Sequence, residues 1–113
     1  MPTVQSGKAK GRRLQQFVRD LILKLWPELE EGDVVSTSMG VTGADVILSP
    51  RALSLIPIQI ECKARKTMAI YDFYRQAMAH GKREPVVVIK ADRQKPLALV
   101  DAEYFFKLQR GVT

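Results

Sequence analysis

Ile58-Gln59-Ile60-Glu61-Cys62-Lys63 alternates apolar and polar residues at the two-residue period of a half-buried strand. That period sends Ile58, Ile60 and Cys62 to one face and Gln59, Glu61 and Lys63 to the other. Glu61 and Lys63 thus form an acid-x-lysine pair on one face. A second acid, Asp45, lies upstream on a separate strand. The stretch therefore speaks to a chemistry as well as to a sheet.

Working outward, the pattern predicts an α/β chain in the order α-β-β-β-α-β-β-α. Met1 to Ser6 read as a flexible lead-in, and residues 1–10 as a basic arm of one 1–113 domain. Leu14, Phe17, Val18, Leu21, Ile22 and Leu25 then recur at helical spacing, and Pro27 should stop that helix near Trp26. Strands are predicted from Val34 towards Ser38, over Ala44–Leu48 and over Ile56–Ala64, with turns at Met39–Gly43 and Ser49-Pro50. Thr67 is a candidate cap for a second helix running to about His80. Val86–Ile89 is a continuous apolar run suited to a strand buried on both faces. A turn at Asp92–Pro96, a strand at Leu97–Val100 and a short helix over Ala102–Gln109 complete a mixed sheet with helices on its faces.

Composition narrows the function classes. The 113 residues suffice for one domain without disulfides or structural metal, burying roughly two-thirds of the unfolded surface. One cysteine and one histidine exclude disulfide frameworks and cysteine- or histidine-rich metal sites. A metal would be held by oxygen, which favours magnesium, or manganese in its place. The net charge of +6 favours a polyanion, nucleic acid ahead of an anionic membrane. No apolar run approaches the ~20 residues of a membrane span, and the polar N-terminus has no signal-peptide core, so an intracellular protein is expected.

Asp45, Glu61 and Lys63 suit metal-assisted hydrolysis of a phosphodiester. Two carboxylates about 4 Å apart repel by roughly 4 kcal/mol at an effective dielectric near 20. Lys63 offsets part of this; a divalent cation offsets it better and leaves positions for water and phosphate. The Cys62 backbone carbonyl is a candidate further ligand. Lys63 would orient or deprotonate the attacking water or stabilise charge on the phosphorane. Acid-x-Lys is also a common pattern on solvent-facing strands, so the separate Asp45, the two helices and the basic chain carry the reading.

With Gly43-Ala44-Asp45 in place of Pro-Asp and Glu61-Cys62-Lys63 as the (D/E)-x-K, the chain resembles the PD-(D/E)xK nuclease superfamily. Fifteen residues separate Asp45 from Glu61, and the resemblance spans roughly Gly7 to Val100. It is most similar to small Holliday-junction resolvases and virus-type replication-repair nucleases, through Lys10-Gly11-Arg12-Arg13 leading into the first helix. The resemblance implies a restriction-endonuclease-like αβββαβ core, cleavage of branched or structured DNA, a homodimer, and a phage or prokaryotic source. Many members carry a first-helix glutamate as a further ligand; here Gln15 and Gln16 are the accessory candidates. Gln76 either matches a glutamine that many members place after the lysine strand or is a solvated helix position. Loss of the helix carboxylate also admits a catalytically weak or inactive accessory protein that binds nucleic acid. Action on RNA or on ordinary duplex ends is a further alternative.

Lys8, Lys10, Arg12 and Arg13 cluster and are read as phosphate contacts ahead of a solubilising tail. Arg65 and Lys66 extend that surface, and Arg75 reads more readily as a plain surface residue. Gly7–Arg12 lacks the ending of a P-loop. Tyr71, Phe73 and Tyr74 are as a group more often core or contact residues than base-stacking ones. A Cys62–His80 nucleophile pair is disfavoured because Cys62 faces the apolar side. Trp26 and Phe17 are read as structural.

Overall fold

The computed structural model describes residues 4–37 and 45–112. Helix α1 spans Val4–Leu25. It starts well before the expected Leu14, so Lys8, Lys10, Arg12 and Arg13 lie on the helix. Val18, Leu21 and Ile22 are buried on one side, as the 3.6-residue period requires. Pro27, which lacks an N–H, follows the last turn, where the Trp26 N–H still reaches the Ile22 carbonyl at 2.8 Å. Phe17 departs from the expected stripe, with 51% of its surface exposed, whereas Trp26 is buried.

Strands β1 (Val34–Ser36) and β2 (Val46–Leu48) pair antiparallel, with Val34 opposite Leu48 and Ser36 opposite Val46. Val34, Val46 and Leu48 point into the core against α1, while Val35 and Ile47 face out. Ser38, the Met39–Gly43 turn and Ala44 lie outside the described residues. Beyond β2 the chain forms a helix that the sequence reading had as a plain turn: α2, Pro50–Leu55. Ser49 caps it, accepting the Ala52 N–H at 3.1 Å, and Pro50 sits at the first helical position, where no N–H is needed.

Among the described residues, the expected strand Ile56–Ala64 pairs through one antiparallel bridge, Ile60 with Val46. Its alternation survives: Ile58, Ile60 and Cys62 pack against the core, and Gln59, Glu61 and Lys63 are exposed. Helix α3 runs over Ile70–Met78, starting from Ala69, which makes no side-chain cap, so Thr67 is not its cap. Strands β3 (Val87–Ile89) and β4 (Leu97–Leu99) form a second antiparallel pair. The apolar run is not buried on both faces, since Val88 is 68% exposed. Arg93 takes a left-handed φ of 62° in the connecting turn. The expected single mixed sheet is thus, among the described residues, two separate two-stranded sheets with four helices.

Helix α4 (Ala102–Arg110) is capped by Asp101, which accepts the Tyr104 N–H at 2.9 Å. It ends at Gly111 with φ 83°, a conformation open to a residue without Cβ. It seals the core with Phe106 and packs on α1. Arg110 stacks 5.9 Å from the Trp26 ring and donates to Glu28 at 3.0 Å.

Candidate metal and nucleic-acid site

Asp45 is held where β2 meets the Ile60 segment. Its N–H donates to the Ile60 carbonyl at 2.8 Å, and its carbonyl accepts both the N–H and the hydroxyl of Thr37 at 3.0 Å. Its Oδ2 accepts the Cys62 N–H at 2.6 Å. The arrangement places Asp45 directly against the Glu61-Cys62-Lys63 triplet. Thr37 carries no motif and stands out only once β1 and β2 are in register.

Glu61 and Lys63 lie on the outward face, with side chains 70% and 62% exposed and a contact of 3.8 Å between Oε1 and Nζ. An exposed pair at that distance contributes about 0–1 kcal/mol, so the contact does little to fix either side chain. The Cys62 thiol is pushed up from its ordinary range by burial first, then by the Asp45 and Glu61 carboxylates. Both acids therefore act at one place on the chain. The same shift makes Cys62 a poor nucleophile, in keeping with its inward side chain.

Gln15 is 2% exposed, and its Oε1 accepts the Ser36 hydroxyl at 2.6 Å. Ser36 is the register partner of Val46, the residue after Asp45, so Gln15 lies under the same end of β2. Its carbonyl is engaged in packing α1 onto β1. Gln16 is exposed on α1 and Gln76 on α3. Among the described residues no cluster of three or more histidine, cysteine, aspartate or glutamate side chains could hold a metal. A cation here would rest on the Asp45 and Glu61 carboxylates with water completing its shell, a donor set that magnesium accepts.

Lys8, Arg12 and Arg13 are exposed on the first turns of α1, and Lys10 is half-buried. Arg65 and Lys66 are exposed just past Lys63 and line a cleft with Thr67, Met68, Tyr71 and Arg75. No helix among the described residues is long and apolar enough to cross a membrane. No family model, curated protein or solved structure matches this chain.

Proposed function

We propose that the chain is a magnesium-dependent nuclease that hydrolyses phosphodiester bonds in DNA, acting on branched or structured substrates as a homodimer. The observation that carries this reading is the bond from the Cys62 N–H to Asp45 Oδ2. It brings the separate acid onto the acid-x-lysine triplet, which sequence separation alone does not require. The finer fold assignment, a restriction-endonuclease-like αβββαβ core, belongs to the same proposal. Its support is the order α1, β1, β2, the Ile60 segment, α3, β3, with α2 inserted.

In this reading Asp45 and Glu61 hold the cation, and Asp45 is kept in place by the Cys62 and Thr37 contacts around it. Bound magnesium would supply Lewis acidity toward the phosphate and a more acidic water. Lys63, released from its weak contact with Glu61, orients the water or neutralises charge developing on the phosphate oxygens. Lys8, Lys10, Arg12 and Arg13 hold the strand by its phosphates.

The test is cleavage of matched four-way-junction, flap, linear-duplex and single-stranded DNA with magnesium. Asp45→Ala and Lys63→Ala should each abolish cutting while leaving the gel-shift affinity within a few-fold. Full cleavage by Asp45→Ala would overturn the assignment. One observation favours a second reading, a nucleic-acid-binding module without activity: α1 presents Gln15, engaged with Ser36, where a further carboxylate would strengthen the metal site. Binding that survives with no magnesium-dependent cutting of any substrate would select it.

A further inference from the structure

The cleft beyond the triplet has a chemistry of its own. Arg65, Lys66, Tyr71, Asp72 and Arg75 line an open cleft of about 500 Å³, within the ~300–1,000 Å³ typical of small-ligand sites. Tyr71 and Arg75 stand one turn apart on α3, hence on one face. Tyr71 exposes 58% of its surface and its ring has no aromatic partner among the described residues. Arg75 is ion-paired to Asp72, which steadies the guanidinium. Arg65 and Lys66 have no carboxylate partner among the described residues. Three cations thus face one carboxylate around an open aromatic ring.

We infer that this cleft is a subsite for a single unpaired nucleotide, its base stacked on Tyr71 and its phosphate held by Arg65, Lys66 and Arg75. The inference rests on the nuclease reading for its macromolecule, and deepens it by naming what the substrate presents next to the cut. A duplex covers its base faces by stacking, so an exposed ring in a small cleft fits a base that has left the stack. Position agrees: Arg65 lies two residues beyond Lys63, at most ~7 Å along the chain. A strand whose phosphate meets Lys63 therefore runs directly into the cleft.

The test needs no metal. In EDTA, anisotropy is measured on two labelled DNA duplexes, identical except that one carries a single unpaired nucleotide. The wild-type protein should prefer the unpaired probe at least tenfold. Tyr71→Ala should reduce that preference to near unity, and Tyr71→Phe, which keeps the ring, should retain it. Arg75→Ala should weaken binding to the unpaired probe more than to the paired one. Equal preference in wild type and Tyr71→Ala would overturn the subsite, as would competition by polyglutamate matching that of a short oligonucleotide. The nuclease reading fails separately: a Tyr71-dependent preference in a protein that cuts nothing with magnesium retains the subsite and removes the activity. Cutting that is indifferent to Tyr71 does the reverse.

Discussion

The Asp45 carboxylate makes one bond in the structure and has a second role in the proposed function, and the two can be separated. Its Oδ2 satisfies the Cys62 N–H, and its charge is what a cation would require. Asparagine keeps an acceptor oxygen and loses the charge; alanine loses both. Asp45→Asn should therefore unfold close to wild type in urea, whereas Asp45→Ala should be about 1–2 kcal/mol less stable than Asp45→Asn. Both should fail to bind magnesium by calorimetry. Equal stability of the two variants would show that the bond to Cys62 contributes nothing in solution. At this scale much was legible: alternation alone assigned Ile58, Ile60 and Cys62 inward and Glu61 and Lys63 outward. Two things were not. A hydrogen bond across 17 positions of sequence, from the Cys62 N–H to the Asp45 carboxylate, leaves no local pattern, and neither does the burial of Gln15 beneath Ser36.

Among the elements, α2 shows how a helix hides in a turn signal. Ser49-Pro50 is a turn signal, yet the same pair caps and starts a helix when the next residues bury a small side chain, here Ala52. The cap is braced from the other side. Ser49 donates to Asp33 Oδ1 at 2.7 Å, and Asp33 Oδ2 accepts the Glu30 N–H at 2.8 Å. Those bonds, the Glu30 N–H foremost, and the Arg51 guanidinium hold the Asp33 carboxyl below its ordinary range, against the opposing effect of burial. A folded-state value below the unfolded one, ~3.9, contributes stability in full above that value and loses it as pH falls through the lower one. Asp33→Asn should accordingly be less stable than wild type at neutral pH, with the difference closing in acid. Urea melts between about pH 7 and pH 2 test this; a gap that widens on acidification refutes it. The Val86–Ile89 run failed for the opposite reason. Continuous apolar sequence says that a strand is able to be buried, and only its neighbours decide whether it is.

For the whole molecule, the core is one-sided. It gathers α1, β1, β2, α2, α4 and the loops at Trp26, Leu29 and Ile56, while α3 contributes no buried residue and β3 and β4 are at most half-buried. The radius of gyration is 15.7 Å, against ~13 Å for a compact chain of this length. The accessible surface is 8608 Å², where a monomer of this mass exposes ~6,200 Å². Opening free energies should follow that division. By hydrogen exchange, amides of α1, β1 and β2 should be protected most and those of α3 and the β3–β4 pair at least tenfold less. Uniform protection along the chain would contradict a one-sided core. Length and pattern gave the class of fold and most of the helices and strands. They did not give the division into two sheets, because strand pairing depends on which edges meet.

Cys62 turns the candidate site into its own clock. It is the sole cysteine in the chain, burial and the two neighbouring carboxylates push its thiol above its ordinary range, and its backbone is tied to Asp45. The thiol is half-buried, so alkylation should quicken when the Ile60–Lys63 segment lifts from the core. A labelling rate that slows when magnesium or DNA is added would therefore report the tightening of the segment that bears Glu61 and Lys63, without any engineered probe.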